Sequence, residues 1–349
     1  MNFKDKRIAI LAPVAWRTPP REYGAWETVA SNITEGLVER GWDVTLFATK
    51  DSVTKAKLEA IIDKGYEEDK SQIPWVSTCL HIGFCMEKAE KFDLIHSNFD
   101  YLPLTYSRLI KTPMLTTIHG FSSPDILRVY RHYKDTYYTS ISNSDRDKEL
   151  PYLATVYNGI DLSNITFREK AGDKLVFLGR IHDDKGVHLA IEVAKKSDRD
   201  LIIAGIIQDQ EYFDTLLKPH IDGKKIQYIG PVNPVQRDAL FKETYTVLHL
   251  NTIPERFGLV MAESMAAGIP VVAMDLGSCR EVIADKKTGY LVNNVDEAVG
   301  VLDKINDIDR KKCRQRVEQN FSIPKMVSCY EKVYEQIFRL EEQKSGVGR

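Results

Sequence analysis

Two glutamates, Glu255 and Glu263, lie on either side of a predicted helix start. A helix rises about 1.5 Å and turns about 100° per residue, which would place them roughly 12 Å apart along the axis and about 80° apart around it. Between them, the backbone N–H groups of Phe257, Gly258 and Leu259 open the helix, where an anion binds favourably. The pattern therefore indicates an elongated ligand that is held at both ends and is negatively charged in the middle, such as a nucleoside diphosphate sugar.

The elements that must position these groups follow directly along the chain. Residues 259–267 are mostly good helix formers, Gly268 suits the left-handed position after a helix, and Pro270 cannot continue one. The apolar run 269–274 has the length and the branched side chains of a buried parallel strand. Residues 254–273 are therefore predicted to form a loop, a short helix and a strand.

The order of residues in this segment resembles the donor-site signature of the retaining glycosyltransferases of family 4. Phe-Gly-Leu follows closely after Glu255, and Ser-Met-Ala-Ala-Gly-Ile-Pro-Val-Val-Ala follows Glu263. Where the family usually has Glu-Gly-Phe-Gly, this chain has Arg256, which either favours an acidic donor or acceptor or points to solvent, and we expect the latter. The resemblance implies the GT-B fold, an α/β architecture in which two Rossmann-like domains face each other across a cleft.

Composition agrees with an ordinary two-domain protein. The 349 residues are 43% hydrophobic, which is sufficient for two separate cores. A net charge of −2 argues against a general nucleic-acid-binding protein, which usually has a strongly basic face. The five cysteines lack Cys-x-x-Cys spacing and indicate free thiols in a reducing cytoplasm. The sequence has no apolar run long enough to predict a transmembrane segment, and residues 7–12 are predicted to be a first strand rather than a signal peptide.

The first half of the chain is predicted to be a Rossmann-like domain. Apolar runs predict strands at residues 7–12, 44–48, 92–97 and 114–120. A helical pattern separates the first two strands, but the Gly-x-Gly-x-x-Gly of a dinucleotide-binding domain is missing, which argues against an oxidoreductase. Residues 51–71 are highly charged, and we expect them to be helical.

Two histidines end predicted strands of this domain. His119 lies in Thr-Ile-His-Gly, which resembles the family's Thr-x-His-Gly, whose histidine faces the donor sugar near its reacting carbon. Because parallel sheets bind ligands at the carboxyl ends of their strands, we expect His119 to be functional, and we leave His96 open between a functional and a structural role. Gly24 is similar in position to a donor-facing loop that usually has two glycines, so it either contacts the diphosphate or serves only a tight turn.

A second domain is predicted to begin with a strand at residues 174–180 and a helix from Val187. Between them, Arg180 and Lys185 resemble the Gly-Arg and Lys-Gly of the family, whose cations neutralise the diphosphate leaving group. Breaking the sugar–phosphate bond places negative charge on the phosphate oxygens, and fixed cations lower that barrier. Further strands are predicted at residues 201–204, 226–229 and 247–250, and residues 289–292 are similar to a later segment of the family.

The resemblance also implies a domain organisation. Residues 1–165 would form an N-terminal Rossmann-like domain on the acceptor side, and residues 166–323 a C-terminal Rossmann-like domain on the nucleotide-sugar donor side. A helix at about residues 324–343 would cross back to the first domain. Its predicted apolar face consists of Val327, Tyr330, Tyr334, Ile337 and Phe338.

By the same resemblance, the chain would transfer a hexose from a GDP-mannose or UDP-glucose type of donor to the hydroxyl of a saccharide or small molecule. The anomeric configuration would be retained by same-face substitution, in which the leaving phosphate helps to deprotonate the acceptor. The implied catalytic residues are His119, Arg180, Lys185 and Glu255. The implied substrate-binding residues are Gly24, Phe257, Gly258, Leu259 and Glu263.

Each implied residue has an expected partner in the substrate. Glu263 would bind the ribose hydroxyls, while Glu255 and the backbone that follows it would hold the donor sugar. Arg180 and Lys185 would hold the diphosphate, and His119 would contact the sugar from the other domain. Closure of the two domains would assemble this arrangement and exclude water.

No metal or other cofactor is expected. Three Asp-x-Asp triplets, beginning at Asp145, Asp198 and Asp307, do not end predicted strands, and the cationic pair would take the place of a metal. Other hypotheses are a sugar phosphorylase or nucleotide-sugar epimerase of the same fold, an oxidoreductase, or a non-catalytic nucleotide-sugar-binding protein. A requirement for a hydroxyl acceptor, a requirement for phosphate, or binding without turnover would distinguish the transferase, the phosphorylase and the binding protein.

Overall fold

The computed structural model describes residues 3–121 and 123–346, and the chain divides into two compact units. The first unit contains the chain up to Gly159 together with the chain from Ile323 onward. The second unit contains Ile160–Ser322. The sequence places the first boundary slightly later, between residues 165 and 166.

Helices and strands alternate through most of both units. The strands of the first unit are β1 (Arg7–Leu11), β2 (Asp43–Phe47), β3 (Lys57–Glu59), β4 (Leu94–Ser97), β5 (Met114–Ile118), β6 (Tyr137–Ser140) and β7 (Tyr152–Thr155). The strands of the second unit are β8 (Lys174–Leu178), β9 (Leu201–Ala204), β10 (Ile226–Tyr228), β11 (Thr244–His249), β12 (Val271–Met274) and β13 (Gly289–Val292).

The helices connect these strands. The α-helices are α1 (Ala25–Glu39), α2 (Pro74–Met86), α3 (Leu127–His132), α4 (Val187–Ser197), α5 (Gln210–Tyr212), α6 (Pro234–Glu243), α7 (Leu259–Ala266), α8 (Cys279–Val282), α9 (Val295–Val301), α10 (Arg310–Asn320) and α11 (Ile323–Gly346). Shorter 3₁₀ helices lie at Ala89–Lys91, Leu102–Tyr106, Pro124–Ile126, Leu162–Asn164, Asp183–Lys185, Lys218–His220 and Leu302–Asp307, and Phe213–Leu217 is a π-helix.

Each unit is built on one parallel sheet. The strand order is β3-β2-β1-β4-β5-β6-β7 in the first unit and β10-β9-β8-β11-β12-β13 in the second. Parallel sheets are covered on both faces, so their strands are runs of apolar residues, and β1, β8 and β12 are accordingly buried along most of their length. The strands predicted from such runs in both halves of the chain are confirmed.

The order of the strands determines where each sheet can bind a ligand. In the first sheet β1 lies beside β4, and in the second β8 lies beside β11, so the chain runs outward in opposite directions from these two pairs. Ligands of doubly wound sheets bind in the crevice outside the carboxyl ends of strands at such a switch point. Residues that follow β8 and β11 are therefore the best placed to form a site in the second unit.

The prediction of helix at residues 51–71 is wrong. This segment forms the short edge strand β3 and a series of turns. Its charged side chains pair with distant parts of the unit: Arg21 contacts Asp51 at 3.2 Å and also contacts Glu68. These charged side chains are therefore positioned by long-range ion pairs and not by contacts along a helix.

Helix α11 belongs to the first unit and packs against α1. The five residues of its predicted apolar face are all buried. Two of them reach polar groups of the sheet, because Tyr334 Oη lies 2.7 Å from His96 Nδ1 and Tyr330 Oη lies 2.9 Å from Thr117 Oγ1. Apolar packing and a buried hydrogen-bond network together hold the last helix against the first sheet.

Among the residues that the structure describes, no helix is both long enough and apolar enough to cross a lipid bilayer.

Candidate functional site

The candidate site lies at the carboxyl ends of β8 and β11 in the second unit. After β8 the chain passes through Arg180 into the 3₁₀ turn Asp183–Lys185, and after β11 it continues to Glu255. The Nζ atom of Lys185 lies 2.9 Å from Oε2 of Glu255. The fold thus brings together two predicted site residues that are 70 positions apart in the sequence.

Gly186 allows this close approach. It has a left-handed φ of 64°, and a Cβ atom at this position would lie 1.9 Å from the carbonyl oxygen of Leu250. Any side chain here would push the start of α4 away from the end of β11. The Lys-Gly pair therefore has a geometric basis, since the glycine lets the turn that carries Lys185 pack against the strand before Glu255.

Glu255 is buried and its carboxylate accepts four hydrogen bonds. Its Oε2 atom accepts hydrogen bonds from Lys185 Nζ at 2.9 Å, His249 Nε2 at 2.9 Å and Asn251 Nδ2 at 2.6 Å. Its Oε1 atom accepts a hydrogen bond from the backbone N–H of Arg256 at 2.9 Å. Glu255 is therefore far more constrained than a charge attracted to a helix terminus would be.

The electrostatic environment keeps Glu255 ionised. Burial alone would raise the pKa of its carboxyl group, but the hydrogen bond from His249 and the positive charge of Lys185 outweigh that effect. The pKa of Glu255 consequently lies well below its usual value. The site thus contains a buried negative charge, Glu255, beside the positive charge of Lys185.

Arg180 is the second predicted cation of the site and is half-buried. Its Nη2 atom lies 3.1 Å from Oδ2 of Asp184, and its Nη1 atom donates to Oε1 of Gln208. Arg180 and Lys185 are thus each paired with a carboxylate of the second unit. Their predicted contact with a diphosphate stays a prediction.

The segment after Glu255 forms the predicted helix start. Phe257 is buried and packs edge-on against Phe321, with the ring centroids 5.6 Å apart. Gly258 has a left-handed φ of 76° and precedes the first residue of α7, Leu259, without a side-chain cap. The first N–H groups of a helix have no partner within it, so this terminus retains the anion-binding character expected from the sequence.

Glu263 lies inside α7 and is not a solvated helix residue. Its carboxylate pairs with the guanidinium group of Arg237 from α6, and both side chains are mostly buried. Burial raises the pKa of Glu263, while the charge of Arg237 opposes that rise. At the end of the helix, Gly268 has the predicted left-handed conformation, with a φ of 82°.

In the first unit, His119 follows β5 and Asn98 follows the neighbouring strand β4. His119 Nε2 lies 3.2 Å from Asn98 Oδ1, and the indole of Trp26 stacks on the imidazole with centroids 5.5 Å apart. Burial lowers the pKa of His119 to about 3, so the ring is neutral. Because Oδ1 can only accept, Nε2 carries the proton and Nδ1 is left as an acceptor.

His96 lies within β4 and serves the fold. Its two ring nitrogens bond to Tyr334 of α11 and to Thr117 of β5, both at 2.7 Å, and burial lowers its pKa to about 3. Both ring nitrogens are therefore used inside the first unit. Of the two roles that the sequence leaves open for His96, the structure supports the structural one.

Gly24 precedes α1 and adjoins the buried carboxylate of Glu27. A Cβ atom at Gly24 would lie 2.9 Å from Cβ of Pro20 and 3.1 Å from Oε2 of Glu27. Burial raises the pKa of Glu27 to about 7, although hydrogen bonds from backbone groups such as the N–H of Trp16 oppose the rise. A tight turn accounts for this glycine, and its contact with a diphosphate stays a prediction.

One group of possible metal ligands occurs among the described residues. His182, Asp183 and Asp184 offer ligand atoms that lie within 4.8 Å of one another, in the turn before Lys185. Asp184 also pairs with Arg180. This group was not identified from the sequence, and a metal-independent site stays a prediction.

Several polar partners of the predicted residues were not identified from the sequence. His249 and Asn251 bind Glu255, Arg237 binds Glu263, and Asn98 binds His119. His249 ends β11, and Asn98 directly follows β4. His249 and Asn98 could have been found as polar residues at the carboxyl ends of predicted strands. The sequence around Arg237 gives no comparable indication.

The chain is similar in sequence to known glycosyltransferases. Residues 162–321 match the family described as glycosyl transferases group 1. The chain is 24% identical to an uncharacterised glycosyltransferase of Methanocaldococcus jannaschii, over 84% of this chain and 88% of that protein. It is 26% identical to the phosphatidyl-myo-inositol mannosyltransferase of Mycolicibacterium smegmatis, over 84% of this chain and 82% of that protein.

Solved structures with the same fold cover nearly the whole chain. The sucrose-phosphate synthase of Thermosynechococcus elongatus matches with a TM-score of 0.77 at 16% identity, over 96% of this chain and 100% of that chain. Anabaena HepE in complex with UDP and glucose matches with a TM-score of 0.73 at 16% identity, over 95% of this chain and 100% of that one.

Two parallel Rossmann-like sheets and these likenesses define the chain as a protein of the GT-B fold. It is a glycosyltransferase, an enzyme that transfers a sugar from a nucleotide-sugar donor to an acceptor. The match to the family described as glycosyl transferases group 1 covers nearly all of the second unit.

Proposed function

We propose that the protein is a retaining hexosyltransferase of family 4 that transfers a hexose from a nucleoside diphosphate sugar to an acceptor hydroxyl. The observation that carries this proposal is the contact between Lys185 and Glu255 at the switch point of the second sheet. A diphosphate needs a cation within reach and a sugar needs a hydrogen-bond acceptor. This pair offers both side by side.

The named relatives support a hexose donor. One is a phosphatidyl-myo-inositol mannosyltransferase, and one structural neighbour was solved with UDP and glucose. We therefore propose a donor of the GDP-mannose or UDP-glucose type. The acceptor is proposed to be the hydroxyl of a saccharide or small molecule.

The proposed roles follow from the chemistry of each group. Arg180 and Lys185 stabilise the charge that develops on the leaving diphosphate, and the first N–H groups of α7 add to it. Glu263 accepts hydrogen bonds from the ribose hydroxyls, and Glu255 with the backbone after it holds the hexose. His119 accepts a hydrogen bond from the sugar at Nδ1.

Retention is proposed to occur by same-face substitution. The sugar–phosphate bond breaks, the leaving phosphate oxygen takes the proton of the acceptor hydroxyl, and the acceptor oxygen bonds to the anomeric carbon on the same face. The cations Arg180 and Lys185 would make a metal unnecessary for this step. Activity that is unchanged by EDTA is therefore expected.

A donor panel tests the proposal. The protein is incubated with UDP-glucose, UDP-galactose and GDP-mannose, and nucleotide release is measured with a mixture of simple saccharides, with phosphate, or with neither. Release that depends on a saccharide, together with an α-linked product by proton NMR, is the expected result. Release that requires phosphate would indicate a phosphorylase, and tight donor binding without turnover would contradict the proposed transfer.

A further inference from the structure

The carboxylate of Glu255 has more hydrogen-bond donors than an ion pair requires. Lys185, His249 and Asn251 all donate to Oε2, and the backbone N–H of Arg256 donates to Oε1. A carboxylate has about two acceptor positions on each oxygen, so Oε2 is fully occupied while Oε1 retains a position for a ligand hydroxyl. Lys185 supplies only one of the four.

Glu255 would stay satisfied without Lys185. The remaining donors, His249, Asn251 and the N–H of Arg256, are enough to keep a buried carboxylate ionised, since two or three hydrogen bonds strongly favour the charged form. Without them, the departure of Lys185 would leave a buried charge with too few partners, which is strongly unfavourable. His249 and Asn251 therefore determine how readily Lys185 can leave.

His249 and Asn251 are fixed, whereas Lys185 can move. His249 is the last residue of β11, which lies between β8 and β12, and both His249 and Asn251 are buried. Within the part of the chain that the structure describes, Asn251 Oδ1 has no hydrogen-bond partner, and Asn251 Nδ2 donates to Glu255. Lys185 retains some exposure, 18%, at the end of a flexible side chain.

The backbone of Glu255 is also held in place. Gly277 forms a parallel bridge with it, and a Cβ atom at Gly277 would lie 2.3 Å from the carbonyl oxygen of Glu255. The N–H of Ser278 donates to that same oxygen at 2.9 Å. The backbone of Glu255 is therefore held in place independently of Lys185.

We propose that His249 and Asn251 are positioning residues that hold Glu255 while Lys185 transfers from this carboxylate to the diphosphate of the donor. This inference rests on the proposed function, because it takes a nucleoside diphosphate sugar as the ligand. In the ligand-free protein Lys185 is held by Glu255. When the diphosphate binds, the lysine exchanges one oxygen anion for another, and Glu255 keeps three hydrogen bonds.

Affinity for UDP, GDP and inorganic pyrophosphate, measured by calorimetry, tests this exchange. Asn251→Leu removes one donor to Glu255 and holds Lys185 more tightly on the carboxylate, so affinity for the bound probes should fall about tenfold or more. His249→Phe should act in the same way. His249→Gln retains an N–H donor and should restore affinity to within about threefold of the wild type.

A double-mutant cycle separates this role from a merely structural one. Gln at position 255 has no charge with which to hold Lys185, so Asn251→Leu should have no effect on probe affinity in the Glu255→Gln background. An equal loss in both backgrounds, or no loss in either, would overturn the proposal. If Asn251→Leu does not fold, His249→Phe is compared with His249→Gln in the same two backgrounds.

The two levels of the proposal fail differently. A wild-type protein that binds neither UDP, GDP nor pyrophosphate overturns the proposed donor and with it the exchange. If the wild-type protein binds at least one of them and substitutions at His249 and Asn251 leave that affinity unchanged, only the exchange is overturned.

Discussion

Replacing Lys185 by methionine tests the assignment of the phosphate cation most directly. Methionine keeps the length and the apolar stem of the side chain but removes its positive charge. Lys185 Nζ lies 2.9 Å from Glu255, so the charge is held in place before any substrate arrives. We expect Lys185→Met to lower kcat strongly and to change the stability of the protein little.

The size of the effect follows from the charge that is lost. Two unit charges about 4 Å apart interact by about 4 kcal/mol at an effective dielectric constant near 20. Removal of one preorganised group that stabilises a transition-state anion costs about 2.7–4 kcal/mol in characterised enzymes. Both figures correspond to a loss of about 10²- to 10³-fold in kcat.

The effect on stability should be much smaller. Glu255 keeps three other donors when Lys185 is removed, so its carboxylate does not become an unpaired buried charge. A loss of roughly 1 kcal/mol would lower the Tm by only about 2–4 °C. The variant should therefore be folded and nearly inactive.

Nucleotide release from the accepted donor, with saturating acceptor or with water alone as the acceptor, measures the effect. Lys196→Met is the matched control, because Lys196 lies on the exposed face of α4 and its ion pairs with described residues are to the surface carboxylates of Glu192 and Asp296. It should retain full activity. A Lys185→Met enzyme with kcat within about threefold of the wild type would refute the assigned role.

Three further changes probe other parts of the molecule. Glu263→Gln should weaken UDP or GDP binding about tenfold with a smaller effect on kcat, and unchanged calorimetric affinity would contradict the ribose role. Gly186→Ala should cost several kcal/mol in chemical denaturation because its Cβ would overlap Leu250, whereas Gly300→Ala, where a Cβ meets open space, should be neutral or stabilising. Burial raises the folded-state pKa of Glu27 from 4.5 to about 7, so the unfolded chain releases this proton first and stability falls as pH rises through that range. Glu27→Gln should remove this loss of roughly 3 kcal/mol, and a Tm difference from wild type that does not grow between about pH 5 and pH 8 would contradict the argument.

The sheets could be predicted because their information is local. Parallel strands covered on both faces are short apolar runs, and β1, β8 and β12 each stand out in the sequence without reference to any partner. Residues 51–71 could not be predicted in the same way. Their charges pair with residues such as Arg21, and which distant charge a side chain meets is not readable from its neighbours in sequence.

The contacts within the site also could not be predicted from the local sequence. Lys185 and Glu255 were recognised from the residues around them, but their mutual contact depends on β8 lying beside β11. The partner Arg237 was missed for the same reason, because it comes from a helix whose packing against α7 is a property of the tertiary structure. Sequence therefore indicated the principal charges, and the fold determined how each charge is balanced.

The polypeptide enters and leaves the second unit side by side. Ile160 and Ser322 form a parallel bridge, and the N–H of Ile160 donates to the carbonyl of Phe321 at 2.7 Å. The second unit is thus an insertion between two parts of the first, and α11 leaves the ribosome after the strands of both sheets. During synthesis the second sheet can form while the first still lacks the helix that covers His96. A premature stop codon just after residue 322 would therefore leave the second sheet intact and expose the first sheet, whose strands lie between residues 7 and 155.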